Sequence, residues 1–311
     1  MRTAYLNTLH SLAEKDSNVI SLVADNGLIV YDDFRRDFPG RYFNFGISEG
    51  NMVSAAAGMA SCGKIPFCYT ISAFLAYRSY EFIRDDVCFQ NQNVKIVGIG
   101  SGIAYSTLGP SHHSTEDIGL LYPLPGLTLF SPGSPMDVVN IINAAYEIQG
   151  PVYVRLGTNR EREIYTKKYS FRTGKAEVVS EGRDISIIST GSIISEVLEA
   201  AEMIRKNGIH TRIINVHTLK PFDSMCVLKA AEETGAVYTV EEHTIFSGLG
   251  SIVADVLAKN RQKTRFKKIG LEGCFAKGYG TPGEVRKING LDAGSIFKII
   301  WESEVSGDGI H

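Results

Sequence analysis

Short apolar runs rich in β-branched residues alternate with helical patterns along the whole chain, and this alternation constrains the fold more than any other feature. In the first half, the strand candidates are residues 19–24, 65–71, 94–100, 127–132 and 151–157. The helical segments lie near residues 50–62, 72–91, 115–121 and 134–148. Strands that alternate with helices build a mainly parallel sheet with helices on both faces, so the chain is predicted to be an α/β protein.

The same rhythm resumes after a polar, charged stretch at residues 158–175 that has no core periodicity. Strand candidates follow at 184–190, 211–217, 236–242 and 266–273, and helical patterns at 192–207, 224–234 and 249–260. The sequence therefore predicts two domains, each a mainly parallel sheet flanked by helices. We place the first domain at residues 1–165, a linker at 166–183, the second domain at 184–300 and a tail at 301–311.

Charge and composition argue against several classes of partner. The 311 residues include 32 basic and 34 acidic side chains, a formal net charge of −2, so neither a nucleic acid nor a membrane surface is an expected partner. Five widely spaced cysteines form neither CxxC pairs nor a disulfide framework, as expected in a reducing compartment. The first residues lack the apolar core of a signal peptide, and no apolar run is long enough to span a bilayer. A soluble cytoplasmic protein is expected.

One carboxylate, Glu49, stands among small and apolar residues in the stretch NFGISEGNM. The alanine-rich run that follows, residues 52–60, is apolar nearly all round and predicts a buried helix with Ser48 as its N-cap. An acid in the first turn can simply complement the helix dipole. A helix this apolar begins inside the protein, however, where an unpaired carboxylate is costly. Under this second interpretation Glu49 needs a partner.

A cluster of polar residues lies in the loop SGIAYSTLGPSHHSTED, residues 101–117, directly after the strand candidate at 94–100. Ligand sites of α/β sheets lie at the carboxyl ends of the strands, so this loop, with His112 and His113, is a candidate site. The alternative is an ordinary connecting loop with surface histidines.

Apolar and aromatic side chains recur at helical spacing in the segment ISAFLAYRSYEFIRDD, at Ile71, Phe74 and Tyr77. Such a stripe is either part of the core or a platform for a flat ligand. Arg78 and Arg84 in the same segment are predicted to lie on a solvated or subunit-facing surface.

Two arginines, Arg155 at the end of the fifth strand candidate and Arg160 after it, lie where an anion would meet the edge of the sheet. Ordinary salt bridges explain them equally well. The glycines of EEHTIFSGLGS, residues 241–251, either admit a ligand or allow close packing.

Taken in order, the motifs GISEGNMVSAAAGMA, YTISAFLAY, STLGPSHHSTED and GPVYVRLG, followed by a second α/β domain that begins DISIIST, resemble the C-terminal half of the transketolase family. The resemblance covers roughly residues 1–300. It implies a pyrimidine-binding domain at 1–165 and a transketolase C-terminal domain at 184–300. It also implies a transferase that uses thiamine diphosphate to move a two-carbon ketol unit from a ketose to an aldehyde.

The resemblance assigns residues to the pyrimidine half of the cofactor. Glu49 matches the family acid that hydrogen-bonds N1′ of the aminopyrimidine ring and favours its imino tautomer, so the cofactor is the expected partner of this carboxylate. Phe74 and Tyr77 match aromatic residues that pack on the pyrimidine, and Ile71 takes the place of a third.

The substrate side of the resemblance is less complete. His112 matches a family histidine that faces the substrate and stabilises charge on oxygen or shuttles protons, and His113 is assigned to the same substrate site. The family aspartate that reads a substrate hydroxyl, four residues before this histidine, is replaced by Leu108.

The family residues that bind the phosphate group of a sugar are replaced as well. A family phosphate histidine falls at Gly100 and the phosphate arginine at Thr158, which leaves Arg155 and Arg160 as imperfect substitutes in the substrate site. Because phosphate cannot be held without donors or charge, ordinary pentose phosphates are not expected as substrates. A small-molecule sugar that carries its anionic or bulky group elsewhere is expected instead.

The other half of the cofactor site is expected on another chain. Family members hold the diphosphate through Mg²⁺ with a Gly-Asp-Gly motif and a downstream asparagine, and the match here, Gly307-Asp308-Gly309, follows the last core element with no such asparagine after it. This chain is therefore predicted to supply no metal ligand. A separate N-terminal-half subunit is expected to bring the diphosphate-binding domain and Mg²⁺, in an α2β2 heterotetramer with sites between subunits.

Two other interpretations stay open at this point. The β subunit of a 2-oxo acid dehydrogenase E1 component has the same two domains and the same kind of acid, although the GPSHHSTED loop favours transketolase. A non-catalytic α/β regulatory subunit is the second alternative, and the presence of both Glu49 and His112 argues against it.

Overall fold

The computed structural model describes residues 1–27, 29–158 and 161–305. The strands are β1 (Val19–Val23), β2 (Tyr42–Asn44), β3 (Ile65–Ile71), β4 (Lys95–Ile99), β5 (Thr128–Phe130), β6 (Val152–Leu156), β7 (Glu177–Ser180), β8 (Ile185–Ser189), β9 (Thr211–Asn215), β10 (Thr218–Lys220), β11 (Ala236–Thr244) and β12 (Arg265–Leu271). The helices are α1 (Arg2–Lys15), α2 (Asp32–Asp37), α3 (Glu49–Ser61), α4 (Ser72–Arg78), α5 (Tyr80–Phe82), α6 (Asp117–Leu121), α7 (Pro135–Glu147), α8 (Ile194–Lys206), α9 (Ser224–Glu233), α10 (Leu249–Lys259), α11 (Pro282–Ile288) and α12 (Ala293–Val305). Within the described ranges, none of these helices is both long and apolar enough to cross a bilayer.

The strands form two sheets. The first contains seven strands in the order β10-β5-β6-β4-β3-β1-β2, and its strands are parallel apart from β10, which runs antiparallel to β5. The second contains five strands in the order β12-β11-β8-β9-β7, in which β7 runs antiparallel to β9 and the others are parallel. Helices flank both sheets, so the predicted fold class is confirmed.

Successive residues of the central strands face opposite sides of the first sheet, because side chains alternate along a strand. Ile20 and Leu22 belong to the apolar cluster that includes α3, whereas Val19 and Val23 belong to the cluster that includes α1 and α7. Both faces of the sheet are therefore apolar, as a parallel sheet covered by helices on both sides requires.

The two domains share one core. From the second domain, Val227 of α9 and Val253 of α10 belong to the same apolar cluster as α3 and Leu129 of the first domain. Strand β10 also crosses from the second domain to the first sheet, where Thr218 pairs with Phe130. The two domains are therefore held against each other through these helices and strands.

The three strands that the sequence did not predict are short and lie at sheet edges. β2, β7 and β10 have three or four residues each, too few for the alternation that reveals a strand. β7 lies within residues 166–183, the segment assigned to the linker, and α12 continues to Val305, past the predicted start of the tail. Gly307-Asp308-Gly309 lies outside the described residues. The domain bounds remain predictions.

The segment predicted as one helix at residues 72–91 consists of three pieces. α4 ends at Arg78, Ser79 has non-helical backbone angles, and α5 then continues into a π-helix at Ile83–Phe89. The break matters because the last residue of α4 contacts the candidate site.

Candidate active site

Three segments that follow neighbouring strands meet at the carboxyl edge of the first sheet. α3 begins at Glu49 after β2, α4 follows β3 directly, and the loop at residues 100–116 follows β4. Because β4, β3, β1 and β2 are adjacent in the sheet, these segments are neighbours in space. Parallel α/β sheets place their ligand sites at this edge.

Glu49 lies in the first turn of α3, and its side chain is only 4% exposed. Ser48 is the N-cap, as predicted, but its side chain makes no capping hydrogen bond. Both carboxylate oxygens of Glu49 lie 3.4 Å from Nη1 of Arg78. These distances are long for charge-assisted hydrogen bonds, so the partner of this buried acid is loosely held.

The structure brings Phe74 and His112 into contact. Their ring centroids lie 4.9 Å apart with the ring planes at 62°, an edge-on arrangement that aromatic rings prefer. Phe74 projects from α4 and is half-buried, and His112 ends a one-turn helix at Pro110–His112. Nδ1 of His112 lies 3.0 Å from Oγ of Ser111. The ring of His112 is thus held at the edge of Phe74.

The loop at residues 100–116, which contains His112 and His113 and is called the histidine loop below, is linked to α4 by the hydroxyl group of Tyr77. This hydroxyl donates to Oε2 of Glu116 at 2.7 Å and accepts from the backbone N–H of Glu116 at 3.2 Å. Burial, followed by the nearby carboxylates of Asp117 and Glu116, raises the pKa of Tyr77, so the phenol stays protonated. Ile71, at the end of β3, packs against the core on the α1 side of the sheet.

His113 lies in the interior, and we withdraw its assignment to the substrate. Its side chain is 3% exposed, and neither ring nitrogen has a hydrogen-bond partner among the described residues. Burial lowers the pKa of His113, although the Glu242 carboxylate opposes this shift, so the ring is neutral near pH 7.

Arg155 is also buried, and we withdraw its assignment to an anionic substrate group. Its Nε lies 3.0 and 2.9 Å from the two carboxylate oxygens of Asp117. The hydroxyl of Tyr153 donates to the same carboxylate at 2.8 Å. The second sequence-based interpretation, an ordinary salt bridge, describes Arg155 correctly, and the pair is a structural one.

The remaining positions predicted to lie at the substrate have different surroundings. Leu108 is 48% exposed within the histidine loop, and Arg160 lies outside the described residues. Gly100, where the family has a histidine, has a φ angle of +81°, and a Cβ atom added there would collide with the ring of Tyr105. Tyr105 therefore takes the space that a side chain at position 100 would need.

The glycine-rich motif of the second domain serves close packing. Glu241 accepts hydrogen bonds from the backbone N–H groups of Leu249 at 2.6 Å and Gly250 at 2.8 Å, at the N-terminus of α10. A Cβ atom at Gly248 would collide with the Glu241 carboxylate. The Glu241 carboxyl group thus lies at the positive end of the α10 dipole, and the glycine makes room for it.

Arg2 is a candidate site residue that the sequence patterns did not reveal. It lines a cavity of about 230 Å³ together with Tyr105 and Thr107 of the histidine loop and Thr158 after β6. Among the described residues, the guanidinium group of Arg2 makes no hydrogen bond or ion pair, while its backbone N–H donates to the Thr158 carbonyl at 2.9 Å. A cation in the first turn of α1 opposes the helix dipole, and this is the signal that would have marked it.

The polar and aromatic groups at this edge fit the pyrimidine half of thiamine diphosphate. A buried carboxylate with a loosely held partner, beside a half-buried aromatic ring, suits a flat heteroaromatic ring that forms a hydrogen bond through a ring nitrogen. In the described part of the chain, no group of three His, Cys, Asp or Glu side chains is placed to hold a metal ion.

Comparison with known proteins identifies the family of the chain. Residues 1–162 match the model of the transketolase pyrimidine binding domain, and residues 174–296 match that of the transketolase C-terminal domain. The chain is 37% identical over 305 residues to a putative transketolase C-terminal section of Methanocaldococcus jannaschii, covering 97% of this chain and 95% of that one. It is 33% identical over 303 residues to a subunit of the apulose-4-phosphate transketolase of Phocaeicola vulgatus, covering 97% and 96%.

A solved structure is similar over the same extent. The structure described as a split gene transketolase, inactive β4 tetramer, has a TM-score of 0.87 and 34% identity and covers 98% of this chain and 97% of that chain. These comparisons do not favour the 2-oxo acid dehydrogenase or regulatory alternatives. The chain therefore belongs to the transketolase family, as a transketolase-type transferase subunit made of the pyrimidine-binding and C-terminal domains.

Proposed function

We propose that this chain is the pyrimidine-side subunit of a split, thiamine diphosphate-dependent transketolase that transfers a two-carbon ketol unit from a ketose to an aldehyde. The observation that carries the proposal is the buried Glu49 carboxylate, which Arg78 joins to the Phe74 ring that contacts His112. When bound, thiamine diphosphate supplies the nucleophilic carbon and the electron sink for breaking the carbon–carbon bond.

Glu49 holds N1′ of the aminopyrimidine ring in this proposal and controls the proton on that atom. The position of the acid supports this role, since a carboxyl group that is 4% exposed is shielded from bulk water and is available to a bound ring. Phe74 orients the ring by contact with its face. Glu49 also keeps its favourable interaction with the dipole of α3.

His112 faces the substrate in this proposal and moves protons to and from its oxygen atoms. Two contacts support this role by holding the ring in place: the edge contact with Phe74 and the hydrogen bond with Ser111. Tyr77 acts on the same loop through Glu116 and is a positioning residue.

The anionic group of the substrate binds at Arg2 in this proposal. The cavity at Arg2 adds a guanidinium group and the Thr107 hydroxyl beside the positions where the sequence lacks the family's phosphate anchors. The relative from Phocaeicola vulgatus is named for a sugar phosphate. A small sugar with a terminal phosphate or similar anion is therefore the proposed substrate class.

A separate subunit supplies the diphosphate-binding domain and Mg²⁺ in this proposal, in an α2β2 assembly. The solved relative, a split-gene transketolase described as an inactive β4 tetramer, supports the need for a second kind of chain. A cytoplasmic location is proposed with it, in keeping with five free cysteines.

Reconstitution tests the proposal. This chain is combined with its candidate partner, thiamine diphosphate and Mg²⁺, and two reactions are measured: ketol transfer from a ketose to an aldehyde, and oxidation of a 2-oxo acid with an artificial electron acceptor. We expect ketol transfer, dependent on both chains. Oxidation of the 2-oxo acid without ketol transfer would contradict the proposal.

A further inference from the structure

Arg78 makes two contacts at the candidate site. Its Nη1 atom lies 3.4 Å from each oxygen of Glu49, and its guanidinium carbon lies 4.2 Å from the centroid of the Phe74 ring. The first contact is an ion pair and the second is a cation–π contact. Both involve residues assigned to the pyrimidine ring of the cofactor.

The guanidinium group and the pyrimidine ring exclude each other. Both are flat, both form hydrogen bonds with a carboxyl group, and both stack on an aromatic face. The Glu49 oxygens and the ring of Phe74 lie within reach of one guanidinium, so a ring bound to the same carboxylate and the same aromatic takes the position that Arg78 holds.

We propose that Arg78 is an exchangeable placeholder for the aminopyrimidine ring: it pairs with Glu49 until the ring binds and then moves into solvent. This inference rests on the proposed function, since it takes Glu49 as the pyrimidine acid. Arg78 thereby lowers the apparent affinity for the cofactor, and it keeps the buried carboxylate from standing unpaired.

The burial of the two partners supports an exchange. Glu49 is 4% exposed and needs a partner at all times, because an unpaired buried carboxylate is costly. Arg78 is 51% exposed, so its charge is readily hydrated once it leaves. Arg78 is also the last residue of α4, directly before the break at Ser79, and no helical turn of α4 restrains its side chain on the C-terminal side.

The test uses the full chain and the probe 4-amino-2-methylpyrimidine, the ring of the cofactor without its diphosphate. The dissociation constant is measured by NMR titration for the wild type, Arg78→Ala and the control Arg84→Ala. Arg84 is 60% exposed and pairs with Asp85 at 2.5 Å, so it is a surface arginine of similar exposure in the same segment. Thermal unfolding confirms that each variant is folded.

We expect Arg78→Ala to bind the probe about 3- to 10-fold more tightly, as loss of a half-exposed ion pair and a cation–π contact implies. Arg84→Ala should bind like the wild type. Arg78→Lys, which keeps the charge but not the flat stacking group, should lie between them.

The outcomes separate this inference from the proposed function. Glu49→Gln should weaken binding of the probe, both in the wild type and in Arg78→Ala. If it does not, or if no variant binds the probe, both the cofactor placement and the inference fail. If binding depends on Glu49 but is unchanged or weaker in Arg78→Ala, the placeholder role alone is overturned.

Discussion

Nε of Arg155 lies 2.9 Å from Oδ2 of Asp117, and both side chains are almost fully buried. Nη2 of the same arginine donates to the carbonyl oxygen of Ser114 at 2.9 Å and to that of Glu242 at 3.3 Å. One guanidinium group thus joins β6 and the end of the histidine loop in the first domain to β11 in the second. This contact helps to hold His112 in place.

Arg155→Met should lower the free energy of unfolding by about 3–5 kcal/mol, because it leaves the Asp117 carboxylate buried and unpaired. Urea unfolding of the full chain measures this loss. Arg183→Met is the control, since Arg183 is 81% exposed and lies 3.8 Å from Asp184, and it should change stability by less than about 1 kcal/mol. A similar small change in Arg155→Met would show that the buried pair is not structural.

His217 should make the protein less stable in weak acid. It is buried, and burial lowers the pKa of His217 to about 4, below the value of about 6.5 expected in the unfolded chain. Between these values the unfolded chain binds more protons than the native one, so stability falls as the pH decreases from about 6.5 to about 4.

The variant His217→Phe removes this titration while keeping a ring against Phe171, whose ring centroid lies 4.7 Å away. The free energy of unfolding is measured for both proteins across pH 4–7. The wild type should lose up to about 3 kcal/mol more than the variant over this range. Parallel curves for the two proteins would contradict the prediction.

Arg2→Met should weaken the binding of anionic substrates selectively. In the reconstituted enzyme, KM for a phosphorylated ketose should rise about 10- to 100-fold, as loss of a charge-assisted hydrogen bond implies, while KM for the same ketose without phosphate should stay constant. The control is Arg36→Met, an exposed arginine paired with Asp33 and Asp37 on α2. Equal effects on both ketoses would remove Arg2 from the substrate site.

The long, apolar elements were predicted well from the sequence. Val19–Val23 and Ile65–Ile71 are buried on both faces, and their continuous apolar runs leave little choice of structure. α3 was predicted to begin at Ser48–Glu49 because small apolar residues follow an acid, and it does. The edge strand β7 was missed, since half of its residues are exposed and its partner, β9, lies far along the chain.

Tertiary contacts explain the misassigned site residues. Arg155 and Asp117 are 38 positions apart, so their pairing is invisible in any local pattern. Arg78 was assigned to a solvated or subunit-facing surface, and its side chain is half-exposed, but the end of α4 turns its guanidinium towards Glu49. The cavity at Arg2 exists because α1 begins beside Thr158, at the other end of the domain's sequence.

The substitution Glu49→Gln distinguishes a role of Glu49 at the cofactor from a simple interaction with the helix dipole. Glu49→Gln keeps the size of the side chain but removes the carboxyl group that serves N1′. Folding should be nearly unchanged, because the lost ion pair with Arg78 is long and half-exposed. The dipole interpretation predicts instead a helix less stable by about 0.3–1 kcal/mol with normal turnover. Glu81→Gln is the matched control, another first-turn glutamate, on the exposed start of α5.

The most direct measurement is the exchange rate of the thiazolium C2 proton of thiamine diphosphate in the reconstituted complex, followed by NMR for the wild type, Glu49→Gln and Glu81→Gln. We expect exchange and turnover to fall together by at least ~100-fold in Glu49→Gln, as on removal of a preorganised catalytic group, and to be unchanged in Glu81→Gln. Wild-type exchange in a well-folded, cofactor-loaded Glu49→Gln complex would contradict the assignment of Glu49 to the cofactor.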